Sequence, residues 1–117
     1  PEPDDSHSVT APRLAKLLAG ATTRGVHEPV PTLLDVRDPA EASFVQLPES
    51  VLIPLAELPG RLGELDRDAP IVVYCHHGVR SSRALGLLQR SGFTRVRHLT
   101  GGIDAWAVQV DPEMPRY

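Results

Sequence analysis

Short apolar runs bounded by turn residues alternate along the chain with stretches whose apolar positions recur every three or four residues. Ser8 and Val9 suit a short strand. Thr10 is an N-cap candidate for a helix over 11–19, where Leu14, Leu17 and Leu18 form an i, i+3, i+4 stripe and Gly20 is the stop. Residues 21–31 hold two Thr, one Gly and two Pro and read as a surface loop. The run 32–36 predicts a buried parallel strand. Asp38 as cap and Pro39 at the first helical position then open a short helix through Glu41 and Phe44. Val51-Leu52-Ile53 is a further strand, closed by Pro54, and 57–65 has a helical pattern weakened by Pro59, Gly60 and Gly63.

Ile71-Val72-Val73-Tyr74 is the strongest strand signal and ends at Cys75. The clearest helix covers 81–91, with Ala84, Leu85, Leu87 and Leu88 on one face and Gly92 as its C-cap. Val96 to Leu99 gives a last strand. Gly101-Gly102 follows, then a short helix carrying Ile103 and Trp106, with Trp106 anchoring that helix against the core. Strands and helices therefore alternate, which predicts an α/β architecture with a mainly parallel sheet. The domain is expected over 8–110, with 1–7 a flexible lead-in and 111–117 an extended tail containing two prolines.

Length and composition narrow the function classes. At 117 residues, 41% hydrophobic and 23% charged, the chain has the make-up of one ordinary globular domain. A net charge of -3 argues against a nucleic-acid partner. No apolar run approaches the ~18 residues of a membrane span, and Pro1 to Val9 lacks the pattern of a secretory signal. A single cysteine excludes an internal disulfide and any cysteine cluster for a metal, so the chain reads as reduced and cytoplasmic, with no metal and no bound cofactor expected.

The candidate chemistry lies in Tyr74-Cys75-His76-His77-Gly78-Val79-Arg80-Ser81-Ser82, which joins the best strand to the best helix. Ligands in such sheets bind beyond the carboxyl ends of strands, where Cys75 falls. A tight strand-loop-helix turn points backbone N–H groups inward together with the positive end of the helix dipole, and this stabilises a thiolate. Gly78 lets the loop turn through positive φ, and Arg80 can tie the loop to a carboxylate or face an anion. A lone cysteine after a β-branched run is ordinarily an inert core residue. Here two His, a Gly and an Arg follow it, which a core strand would not carry. An exposed reactive thiol of this kind also predicts a disulfide between two chains in air.

Three motifs carry a family resemblance: the cysteine loop, Leu33-Leu34-Asp35-Val36-Arg37 with Glu41, and Gly101-Gly102-Ile103-Asp104-Ala105-Trp106. Together, over Val9 to Trp106, they resemble the rhodanese (sulfurtransferase) domain. The resemblance implies a rhodanese-like, five-stranded mainly parallel sheet with helices on both faces. It also implies a thiosulfate-sulfurtransferase-class enzyme in which Cys75 is catalytic and carries a persulfide. His76, His77, Gly78, Val79, Arg80 and Ser81 would form the substrate-binding loop. The ending Val110-Asp111-Pro112-Glu113-Met114-Pro115-Arg116-Tyr117 is similar to rhodanese domains attached to the adenylyltransferases of molybdopterin and thiamine biosynthesis. That likeness implies a small sulfur donor or a cysteine desulfurase on one side. On the other it implies a ubiquitin-like sulfur carrier protein or a fused adenylyltransferase domain.

Two departures stand out. Val45-Gln46-Leu47-Pro48-Glu49-Ser50 replaces the family's Gly-His-Ile-Pro-Gly-Ala stretch, and His76 occupies a position that thiosulfate-using members fill with Arg or Lys. A neutral imidazole attracts a dianion such as thiosulfate less than a fixed cation does. Two rival readings are a cysteine-dependent phosphatase or arsenate reductase, and a non-catalytic regulatory module of the same fold. The phosphatase loop places five residues between Cys and Arg, against four here. Inactive modules commonly lack the cysteine that this chain keeps. His76 and His77 either tune a persulfide or face solvent at the loop rim. Asp35 and Arg37 read as a structural ion pair, His7, His27 and His98 as surface or packing residues, and Asp66-Arg67-Asp68 as a solvated turn.

Overall fold

The computed structural model describes residues 7–20, 22–23, 25–27 and 29–117. In chain order its elements are β1 (Ser8–Val9), α1 (Ala11–Leu18), β2 (Thr22–Thr23), β3 (Val26–His27), β4 (Thr32–Asp35), α2 (Pro39–Phe44), β5 (Val51–Leu52), β6 (Ile71–Tyr74), α3 (Val79–Arg90), β7 (Val96–Leu99) and α4 (Gly102–Gln109). All four residues of β6 are buried, as a strand covered on both faces requires. It sits at the centre of a five-stranded sheet of order β1-β7-β6-β4-β5. Every pairing in that sheet is parallel, with Leu34 opposite Val73 and Val73 opposite His98. The expected α/β parallel architecture is the one observed.

Strand alternation sorts the core into two layers. Leu34, Ile71 and Val73 face Ala84, Leu85 and Leu88 of α3, with Phe93 and Leu58. Leu33, Val72 and Tyr74 face Leu14 and Leu17 of α1 and Ile103 and Trp106 of α4. The stripes read from the sequence face the core, with Leu18 and Leu87 only half-buried at their margins, and helices cover both faces of the sheet.

The structure corrects several local expectations. Part of the expected loop 21–31 forms an antiparallel hairpin of β2 and β3, turning at Gly25 with φ +78°. β-branched residues flanking a glycine that reaches positive φ supply the hairpin. Residues 21, 24 and 28 of that segment, and 1–6 of the lead-in, lie outside the described residues. The pattern over 57–65 becomes two 3₁₀ turns, Leu55–Gly60 and Leu62–Glu64. Pro59 has no N–H to continue an α-helix, and the two glycines weaken it further. Helix α3 starts two residues earlier than expected, because Gly78 at φ +117° turns the chain directly into it.

The end of β6 is stitched to α4. Ile103 N–H donates to the Cys75 carbonyl at 2.9 Å and Asp104 N–H to the His76 carbonyl at 3.1 Å. This close approach requires the glycine pair: Gly101 and Gly102 have φ of +76° and +65°. A Cβ on Gly102 would stand 2.5 Å from the Cys75 carbonyl oxygen. After α4 the chain turns at Asp111, where Met114 N–H donates to its carbonyl at 3.1 Å. Met114 then packs against the α1/α4 layer, and residues 115–117 return to the carboxyl end of the sheet.

Gly102→Ala is expected to destabilise the fold by about 3 kcal/mol or more, since it combines positive-φ strain with a backbone clash. Gly60→Ala, whose Cβ meets nothing within 4 Å, is expected to stay within about 0.5 kcal/mol of wild type. Denaturant titration of both variants measures the contrast.

Candidate active site

The loop leaving β6 wraps its own sulfur. Cys75 Sγ accepts the Gly78 N–H at 3.1 Å and the Ser81 N–H at 3.3 Å, and lies 3.6 Å from Ser81 Oγ. The amides belong to the first turn and cap of α3, so they carry the unsatisfied donors and positive dipole end of a helix N-terminus. Such donors stabilise negative charge on sulfur. Cys75 itself is only 1% exposed, contrary to the exposed thiol expected, because the loop closes over it.

The six expected loop residues divide by what they touch. Gly78 and Ser81 supply the amides. Val79 projects outward at 67% exposure. Arg80 forms a two-pronged ion pair with Glu41, Nη1 to Oε1 at 2.6 Å and Nη2 to Oε2 at 2.9 Å. His76 stacks on Tyr117 at 3.8 Å and 10° and packs against the tilted ring of His77 at 3.9 Å and 34°. Its Nε2 is buried without a hydrogen-bond partner among the described residues. Burial, reinforced by the neighbouring His77, pushes the His76 imidazole below its usual range, so it is neutral at pH 7. His77 lies at the rim with Nδ1 3.9 Å from Asp104 Oδ2.

A buried network stands behind the loop. Asp35 and Arg37 have no exposed side-chain surface and pair through Arg37 Nε and Nη2 at 2.9 and 2.7 Å. This is the structural ion pair read from the sequence. Arg37 also donates to the Val45 carbonyl at 2.7 Å and to Tyr117 Oη at 2.9 Å. Tyr74 donates to Asp35 at 3.2 Å, and burial raises its phenol to about 12. The Arg80 guanidinium holds Glu41 at about 2, well below the ordinary carboxylate range.

Two participants escaped the sequence reading. His98, taken as a surface or packing residue, brings Nδ1 to 3.4 Å from Ser81 Oγ, and burial lowers its ionisation. Register supplied the signal, since His98 lies opposite Val73, two residues before Cys75. Tyr117 reaches Glu41 and Arg37 across 76 and 80 residues of chain, a contact no local pattern encodes. Beside the loop, a groove of about 590 Å³ is lined by His77, Gly78, Val79, Arg83, His98 and Thr100. A second cleft of about 430 Å³, lined by Pro70, Thr94 and Arg95, includes no residue of the loop. Among the described residues no three His, Cys, Asp or Glu side chains cluster as a metal site, and no helix is long and apolar enough to cross a membrane.

Comparison with known proteins places this geometry among relatives. The model of the rhodanese-like domain matches residues 11–109. The chain is 44% identical over 87 residues to the probable adenylyltransferase/sulfurtransferase MoeZ of Mycobacterium tuberculosis, an alignment covering 73% of this chain and 22% of that protein. It thus spans about a fifth of that relative's length. It is 40% identical over 75 residues to a sulfurtransferase of Allochromatium vinosum, covering 64% of this chain and 70% of that one. Among solved structures, a rhodanese-related protein of Thermoplasma volcanium superposes with a TM-score of 0.76 at 31% identity, covering 89% and 93% of the two chains.

Arg37→Leu is expected to cost about 3–5 kcal/mol in denaturant unfolding, because it strands the buried Asp35 carboxylate. Glu41 ionises more readily folded than unfolded, so its contribution is present above about pH 4.5 and is lost as pH falls toward about 2. Glu41→Gln is therefore expected to lower stability at pH 7 by about 1 kcal/mol and to flatten that part of the stability–pH curve.

Proposed function

The chain belongs to the rhodanese-like domain family, and we propose that within it Cys75 is the catalytic residue that carries sulfane sulfur as a persulfide. The observation that supports this most directly is the pair of amides from Gly78 and Ser81 converging on Cys75 Sγ at the head of α3. In the first step the Cys75 thiolate attacks the terminal sulfur of a donor R–S–S⁻. The donor S–S bond breaks, its electron pair leaves with R–S⁻, and Cys75–S–S⁻ remains. With thiosulfate the leaving group is sulfite. With 3-mercaptopyruvate a C–S bond breaks, the enolate of pyruvate leaves and takes up a proton, and the transferred sulfur keeps its own. In the second step an acceptor nucleophile attacks the outer sulfur and the bonding pair returns to Sγ, a two-step exchange with ping-pong kinetics.

Loop amides and the helix N-terminus stabilise both anions, while His76, His77 and Val79 border the approach. The neutral His76 favours a persulfide donor, such as a charged cysteine desulfurase, over the thiosulfate dianion. The acceptor we propose is a ubiquitin-like sulfur carrier protein activated by an adenylyltransferase. The name of the Mycobacterium tuberculosis relative, which joins those two activities, supports it. Arg80 argues against a phosphatase, since both its prongs are committed to Glu41.

Intact mass of the reduced protein after separate incubation with thiosulfate, 3-mercaptopyruvate and a persulfide-charged desulfurase tests the reading. One added sulfur atom is expected, greatest with the desulfurase, removable by cyanide and absent in Cys75→Ser, which should keep the wild-type fold. No adduct from any donor would sink the proposal.

A further inference from the structure

Resting on that sulfur-transfer reading, we propose that Tyr117 is a positioning residue of the site, holding His76 and, through Glu41, Arg80 in place around the Cys75 loop. Three independent contacts converge on this side chain. Its ring lies flat on His76, 3.8 Å away and within 10° of parallel. His77 packs against the same imidazole at 3.9 Å and 34°, and the two contacts together set the plane of the ring. Its hydroxyl donates to Glu41 Oε2 at 2.6 Å and accepts from Arg37 Nη1 at 2.9 Å. The edge of Phe44 from α2 meets the same ring at 5.8 Å and 79°.

The hydroxyl contact reaches the loop through charge. Glu41 is the acceptor of both Arg80 prongs, and Arg80 lies one residue before the Ser81 amide that faces sulfur. Burial and the Glu41 contact raise the Tyr117 phenol to about 12, so at neutral pH it keeps the proton it donates. The ring contact governs a different property. His76 Nε2 is a buried polar atom with no partner among the described residues, a state that is unfavourable unless the ring is held in place. An imidazole whose plane is held by stacking cannot rotate to satisfy that atom, so the ring keeps one orientation beside Cys75.

The tail is fastened so that the ring stays seated. Arg116 pairs with Asp104 at 2.9 and 3.2 Å, and the Asp104 N–H is bonded to the His76 carbonyl. Residues 116 and 117 therefore grip both sides of the loop's first residue after Cys75. The two roles separate: the ring sets donor binding through His76, and the hydroxyl sets turnover through Glu41 and Arg80.

Tyr117→Ala and Tyr117→Phe of the full chain test this by two readouts. In NMR spectra, the His76 ring protons are expected to lose their ring-current shift in Tyr117→Ala and to retain it in Tyr117→Phe. In steady-state transfer from the donor identified by mass, Tyr117→Ala is expected to lose about tenfold in kcat/KM, with KM raised and kcat lowered. Tyr117→Phe should recover the wild-type KM while kcat stays reduced. A merely structural tail would lower the melting temperature of both variants and leave KM and kcat per folded molecule unchanged. That result, or His76 resonances indifferent to the alanine, overturns the proposal. If the alanine variant fails to fold, the phenylalanine variant decides it, and a wild-type kcat there overturns it. Absence of sulfur transfer by wild type is a failure of the reading it rests on. The NMR comparison reports separately on whether Tyr117 holds His76.

Discussion

A carboxylate with no exposed surface must find every partner inside the protein, and Asp35 at the end of β4 imposes that demand on its surroundings. Arg37 answers with two guanidinium contacts and Tyr74 with its phenol, so the ends of the two central strands are locked together. Arg37 has donors to spare and spends them on the Val45 carbonyl and Tyr117. Tyr117 passes the connection to Glu41, and Glu41 to Arg80 in the cysteine loop. The loop's shape is thus continuous with a buried charge on a neighbouring strand. Such a network adds more order than net stability, since burying an ion pair costs most of what the pairing returns.

The parallel sheet makes this economical. Strands β4, β6 and β7 all point their carboxyl ends the same way, which brings Asp35, Cys75 and the Gly101-Gly102 turn to one edge. From above β7, α4 ties down the Cys75 and His76 carbonyls. From below, α3 presents its first amides to the sulfur. The chain between β6 and α3 is held through carbonyls on one side and a sulfur atom on the other, leaving little freedom in its path.

How much of this could be read beforehand follows from the range of each signal. The buried strand 71–74 and the stripe of Ala84, Leu85, Leu87 and Leu88, of which Leu87 is only half-buried, followed from periodicity, and the cysteine loop from the residues that join them. The 3₁₀ turns of 55–64 lay one step beyond, because proline and glycine weaken a helix without saying what replaces it. The hairpin of β2 and β3 was hidden by the same residues that made 21–31 resemble a loop. Tyr117 was out of reach altogether, and His98 was marked only by strand register. Their roles depend on tertiary approach across the sheet, and nothing in Pro115-Arg116-Tyr117 marks a side chain that returns to the end of β4.

The burial of Cys75 carries a meaning for the protein's life in an oxidising moment. Two such sulfurs can bond only at about 2 Å separation. A pair of chains whose sulfurs sit beneath their own backbone loops cannot meet that distance without both loops opening. A slender group ending in an exposed sulfur faces a smaller obstacle than the equally buried thiol of a second copy. The enclosure therefore shields the thiol from self-coupling, which needs two loops to open at once where an exposed persulfide needs only one.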